Sequence, residues 1–380
     1  MWDGLCRARK RVCHWAGQHQ TLLVGTGVVV ACGTGVYYMI RRVVNEAENM
    51  TKNMQRHIME QQRLSVHLRR TEEECKAAFL RFLPSVKSRI YKQLDLEGIV
   101  ESLKVLDKSE KETRDMLWDD AKLVGFTRLY VSLYAYCLLQ LLVHCELLIM
   151  GRETFEKAKH KSEEANTDNQ KETLIAQHHF LSSTMEYFFS TGLPSLIETT
   201  EQRISTHEGL KAWRVHEKRS VQHDEMNDMF DEILAATKLN PAEQWQRFLI
   251  FPEDTAVASK ESASTTAMTT TWLNELRDIL DSPFFHVALQ DSIDALFDRT
   301  KTQLLSSLYN ENLQPKASVL PLAKVIPQLK TEAAKYFSSK GASASDSTTY
   351  WDELAKLDSL QHLATSIFIQ DASIATSTWV

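Results

Sequence analysis

The chain has 380 residues, a net charge of −6, and a composition that is 43% apolar and 25% charged. That profile excludes a polytopic membrane protein, a collagen-like repeat and a wholly disordered chain, and it supplies ample apolar material for a core. The charge is unevenly placed: residues 1–20 carry a net +3, residues 41–92 a net +6 and the remainder −15, while residues 21–40 carry none.

Residues 1–20 form a basic N-terminal segment containing Arg7, Arg9, Lys10 and Arg11. The uncharged run TLLVGTGVVVACGTGVYYMI (21–40) follows, closed by Arg41 and Arg42. A helix of that length spans about 30 Å, one hydrocarbon core. Tyr37 and Tyr38 lie at one end, where amphipathic rings favour the interface. Gly27, Ala31 and Gly35 make a small-residue face. The segment reads as a transmembrane anchor in a lipid bilayer. It outruns the apolar core of a cleaved signal peptide, and two arginines follow it directly. Positive charge at both ends leaves its orientation undecided.

Residues 41–92 read as a long polar helix. Met50, Met54, Ile58, Leu68, Cys75, Phe79 and Phe82 recur at helical steps, and Pro84 is expected to end or kink it. Its excess of Lys and Arg suits a solvated face, or contact with anionic lipid headgroups. Residues 114–150 follow, apolar almost all round from Leu129 to Met150. Such a helix is a bundle centre or a second membrane span. Ser132, Gln140, His144 and Glu146 interrupt it and favour the bundle centre.

Further helices are predicted over His178–Leu196, Ile204–Thr237, Trp272–Leu280, Val287–Leu308, Leu320–Phe337 and Trp351–Phe368. Asp281-Ser282-Pro283 reads as a helix break and restart, Pro321 as a first-turn proline and Pro327 as a bend. Residues 152–173, 253–271 and 338–349 read as mobile loops. No alternating strand pattern or hairpin signal appears. The expected architecture is therefore all-α: a single N-terminal transmembrane helix, then a helical body over 41–380.

Six cysteines without a CxxC pair signal neither a zinc site nor a disulfide framework. Nucleotide, zinc-protease and serine-hydrolase motifs are missing. His207-Glu208 and His216-Glu217 are adjacent pairs, and His178-His179 is a dipeptide; none has metal-ligand spacing. His144 and Glu146 are two residues apart and face different sides, a poor basis for an enzyme. The basic residues lack the aromatic interleaving of a nucleic-acid surface. No catalytic residue, metal, cofactor or nucleic-acid partner is expected.

Trp118 stands out. On a helical wheel with Trp118 at zero, Lys111, Lys122, Arg114, Gly125 and Ala121 fall within about 60° of it. Met116, Leu117, Leu123 and Val124 fall on the far side, at about 100° or more. The wheel predicts an outward tryptophan among small and basic residues, opposite an apolar inner face. An exposed tryptophan with a cationic rim suits an acidic amphipathic helix, with Ala121 and Gly125 allowing close approach. Packing of Trp118 against a neighbouring helix is the competing reading.

The run 117-LWDDAKLVGFTR-128, continuing through Val131, Tyr134 and Cys137 to Gly151, resembles the peroxin-3 family. So do 181-LSS with 192-GL and 196-LI, 273-LNELRDILDSPFF-285 and 318-SVLPLAKVIP-327, in the family's order. The resemblance implies a peroxisomal membrane protein, single-pass, with its body in the cytosol and built as an elongated, twisted bundle of long helices. It implies docking of peroxin-19, the carrier of newly made peroxisomal membrane proteins, through an amphipathic helix in a groove at the membrane-distal end. The family's groove tryptophan corresponds to Trp118, its flanking basic positions to Arg114 and Lys122, and an upstream pair to Leu103 and Lys104. Leu117, Ala121 and Gly125 complete the expected partner-binding set. The chain departs from the family in a longer 105-VLDKSEKET stretch and in Ala121, where a larger apolar residue is usual. The alternatives are a tether for organelle-inheritance factors and a membrane-anchored lipid-processing enzyme.

Overall fold

The computed structural model describes residues 20–106, 110–159, 167–238, 242–252, 263–309, 319–338 and 349–368, with only the backbone for 20–40, 43, 44, 47, 157–159, 167–170, 242, 243 and 263. Regular structure among them is helical, apart from an isolated antiparallel bridge between Val221 and Leu320. The chain divides into two units, Met1–Val66 and His67–Val380.

Helix α1 runs over Gln20–Gln93. In the first unit it includes the uncharged run 21–40, and beyond that Met50, Met54, Ile58 and Met59 are exposed. Arg42 bonds Glu46 one turn on, 2.9 Å away. In the second unit the same helix turns Cys75, Phe79, Leu83, Val86 and Ile90 inward. Their steps of three and four lay one stripe along a 3.6-residue helix. Pro84 neither ends nor interrupts the helix. It lies on the exposed face with Leu80, so the carbonyl that its missing N–H leaves free can be hydrated.

A short α2 (Leu96–Val105) leads to α3 (Lys111–Lys159). The apolar stretch of α3 is 94% buried inside the second unit, as the bundle-centre reading expects. Around it pack α4 (Thr167–Tyr187), α5 (Leu193–Thr206), α6 (Glu208–Ala212), α7 (His223–Thr237), α8 (Ala263–Asp281), α9 (Pro283–Tyr309), α10 (Val325–Lys335), α11 (Tyr350–Leu354) and α12 (Asp358–Phe368). Helices α2, α5, α8, α9, α10 and α12 all touch α3. Each large apolar side chain it buries contributes about 1.5–3 kcal/mol. Several of its polar groups are satisfied by the shell, whereas Gln140, His144 and Glu146 are buried without a hydrogen-bond partner among the described residues. Tyr130 donates to the Phe230 carbonyl at 2.6 Å, Tyr134 pairs with Thr237 at 2.6 Å, and Arg152 reaches the Ile367 carbonyl at 3.0 Å and Glu275.

Several boundaries differ from the sequence reading. Helix persists to Lys159 and resumes at Thr167 and Ala263, so parts of the expected loops 152–173 and 253–271 are helical; most of 338–349 lies outside the described residues. A π-helical turn, Phe188–Gly192, separates α4 from α5. Gly192 faces the Phe248 carbonyl so closely that any Cβ would collide with it. The helix predicted over Ile204–Thr237 is broken. His207 turns extended and its Nδ1 accepts from Leu210 N at 3.1 Å, starting the short α6; residues 213–222 are then non-helical. Pro327 is the third residue of α10, where its missing N–H costs nothing, and so it does not bend a helix. Pro321 precedes the 3₁₀ turn Leu322–Lys324 in extended conformation. The break at 281–283 is as expected: α8 ends at Asp281, α9 begins at Pro283, and the Ser282 hydroxyl accepts from Phe285 N at 3.2 Å.

Candidate partner-binding site

The first turns of α3 carry most of the residues singled out by sequence. Residues 110–113 are exposed, as are Met116 and Asp120. The inward face at this end is the one holding Ala121, Lys122, Gly125 and Phe126, all buried. Trp118 shares that azimuth, one turn earlier, and is half-buried. This reverses the orientation read from the wheel. Met116, expected on the apolar inner face, is 64% exposed, and Leu117, Leu123 and Val124 are only half-buried. The reversal has a steric cause. Gly125 admits α10 closely, with Leu329 Cδ1 3.5 Å and Ile326 Cγ2 3.9 Å from where a Cβ would stand.

Lys122, expected on a basic rim, is 2% exposed. Its ammonium donates to the carbonyls of Leu210 (3.0 Å) and Trp213 (2.7 Å), with Asp119 3.6 Å away. Burial lowers its pKa, and the Asp119 carboxylate opposes that shift. Asp119 also accepts from Val215 N at 2.9 Å. Two side chains of α3 thus hold the segment 210–215 along the helix, next to Trp118.

Helix α2 brings in Leu103, half-buried, and Lys104, exposed. Asp95 caps it by accepting from Gly98 N at 2.9 Å. Arg128, fully buried on α3, anchors its start: the guanidinium bonds both oxygens of Glu97, at 2.9 and 2.6 Å, and the Leu94 carbonyl, and lies 4.1 Å from the centre of the Tyr91 ring. The hydrogen bonds from Arg128, aided by Lys330, hold the Glu97 carboxyl down to about pKa 2. At the other end of α2, half-buried Arg114 donates to the Leu106 carbonyl at 3.2 Å. Trp118 therefore sits where the inner face of α3 emerges from the bundle, with the end of α2 tied nearby. Arg114, Leu117 and Trp118 on α3 and Leu103 and Lys104 on α2 retain surface; Ala121, Lys122 and Gly125 are buried.

Arg41 and Arg42 are exposed on α1, whereas Arg7, Arg9, Lys10 and Arg11 lie outside the described residues. Sequence reasoning missed the roles of Asp119 and Arg128. The partners of Lys122 and Arg128 include backbone carbonyls, which no residue type announces. His144 and Glu146 are buried in α3 without hydrogen-bond partners among the described residues, and no group of three metal-ligating side chains forms there.

A family model described as Peroxin-3 matches residues 14–115 and 104–212, over half of the chain. The chain belongs to the peroxin-3 family. Its relatives include Peroxisomal biogenesis factor 3 of Homo sapiens, 23% identical over 343 residues, covering 84% of this chain and 87% of that protein. The same factor of Cricetulus longicaudatus is 23% identical over 335 residues, 82% and 85% of the two chains. Peroxisome biogenesis protein 3-2 of Arabidopsis thaliana is 24% identical over 261 residues, 64% and 66% of the two. Peroxin-3 membership implies a role in peroxisome membrane biogenesis, and these relatives are named as biogenesis factors, not as enzymes.

Proposed function

We propose that this peroxin-3 family member is a non-enzymatic docking receptor in the peroxisomal membrane for peroxin-19 carrying newly made membrane proteins. In this reading residues 21–40 are a single-pass anchor, and residues 41–380 face the cytosol. The uncharged run within α1 is long enough to span a bilayer. The observation that supports the docking role is Trp118: a large indole, half-exposed at the emerging face of α3, one turn from Arg114, which ties down the end of α2. A tryptophan so placed is the common anchor of a protein interface, and cations around it favour an acidic amphipathic helix. Lys122, Ala121 and Gly125 serve from below, by fixing the walls.

Burial of the indole by a partner is worth on the order of 2–4 kcal/mol. Trp118→Ala is expected to weaken peroxin-19 binding at least about tenfold in a titration, with the helical circular dichroism signal intact. Equal affinity for variant and parent would refute the docking site. The anchor is tested separately: a tagged chain lacking residues 1–45 is expected to lose the peroxisome, whereas secretion of the intact chain would exclude an anchor.

A further inference from the structure

The segment that Lys122 and Asp119 hold against α3 has its own chemistry. Residues 211–219 read KAWRVHEKR, four cations and one carboxylate within a body that is acidic as a whole. Lys211, Arg214 and Arg219 are exposed and form no ion pair with any described residue. The one carboxylate, Glu217, lies 3.2 Å from His216. Lys218 bonds Glu225 at 3.1 Å and stands 5.0 Å over the ring of Trp213, which is itself half-buried. Leu210 and Val215 are buried and pin the segment from both sides. A second tryptophan, under the Lys218 ammonium and in a cation-rich stretch, is thereby fixed alongside the helix that carries Trp118.

We propose that Lys211–Arg219 is a second wall of the docking surface, taking the acidic flank of the partner helix whose apolar face meets Trp118. Lys122 is its positioning residue. The inference rests on the docking function proposed above and extends it to a part of the chain about 100 residues from Trp118. Charge complementarity sets the occupant: three exposed cations without an ion pair among the described residues, in the same short stretch as an indole, favour an amphipathic helix with a carboxylate-rich edge. Three unpaired surface cations also steer encounter, so their contribution is salt-dependent.

The test uses the full-length chain in detergent solution and the peroxin-19 titration described above, at about 50 and about 500 mM salt. Arg214→Glu with Arg219→Glu is expected to weaken binding about fivefold or more at low salt and to flatten the salt dependence. The neutral pair Arg214→Gln with Arg219→Gln is expected to give a smaller loss in the same direction. Bound partner is also expected to slow hydrogen exchange of the amides in 211–219. Unchanged affinity and salt dependence in both double variants, with Trp118→Ala still impaired, would overturn the second wall and leave the docking reading standing. Unprotected amides in 211–219 would overturn it equally. If Trp118→Ala also bound normally, the docking reading itself would fall.

Discussion

Lys122 shows how a single buried cation organises a surface it does not reach. Its ammonium gives up water for two carbonyls and one nearby carboxylate, and the chain segment 210–215 follows those carbonyls. Lys122→Met keeps the side-chain volume but leaves both carbonyls without a donor, and is expected to cost about 1–3 kcal/mol in denaturant unfolding. Lys104→Met, on the exposed face of α2, is expected to stay within about 0.5 kcal/mol. A comparable loss in the two would show that the Lys122 bonds contribute nothing special. The candidate site was half legible at this scale. The wheel grouped Trp118 with Ala121, Lys122 and Gly125 correctly, because helical spacing alone sets azimuth. It misjudged which group faces inward, because a lysine reads as surface and Met116 reads as core until the neighbours of the helix are known.

Among the elements, α3 was the easiest to read and the 188–222 stretch the hardest. An unbroken apolar helix of this length has few places to go, and Leu129–Met150 lies in the bundle centre. The π-helical turn at Phe188–Gly192 leaves no such trace, and the carbonyl packed against its Gly192 comes from Phe248, far along the chain. Gly192→Ala drives a methyl group into the Phe248 carbonyl and must displace backbone. It is expected to lower stability by about 2–4 kcal/mol, whereas Gly125→Ala, which meets only ordinary contact distances, is expected to cost less than about 1.5 kcal/mol. Thermal melts of the two variants check the contrast. The break at His207 was hidden for a related reason: residues 204–237 have adequate helical periodicity, and the bonds that unwind 213–215 come from α3.

At the scale of the whole molecule, stability has opposing pH dependences built into α3 and the adjoining α2. His144 is buried and held neutral, its pKa lowered by burial to about 4. As pH falls from the ordinary histidine range through about 4, the unfolded chain takes up a proton that the folded one refuses, and stability drops. Glu97, held down to about 2 by Arg128, adds a further loss as pH falls from the ordinary carboxylate range toward 2. Glu146 acts in the other sense: burial raises its pKa, so the fold keeps a proton that the unfolded chain releases, and stability declines as pH rises above the ordinary glutamate range. Glu146→Gln is expected to raise the denaturant midpoint more at pH 8 than at pH 5. A gain independent of pH would mean that Glu146 is ionised in the fold. The buried polarity of α3 also bears on the order in which the protein is made. Its apolar run would satisfy a bilayer as well as a bundle, yet part of its cover is translated well after it: Leu329 of α10 lies against Gly125, and the Ile367 carbonyl of α12 receives Arg152. Until that stretch leaves the ribosome, part of the apolar surface of α3 lacks its cover. A chain lacking 1–45 and ending at Tyr309 is therefore expected to sediment with membranes and resist carbonate extraction, while the same N-terminal deletion with an intact C-terminus stays in the supernatant. Under the single-pass anchor proposed above, loss of the helices after Tyr309 would threaten topology as well as stability, because α10 and α12 cover part of the apolar stretch of α3.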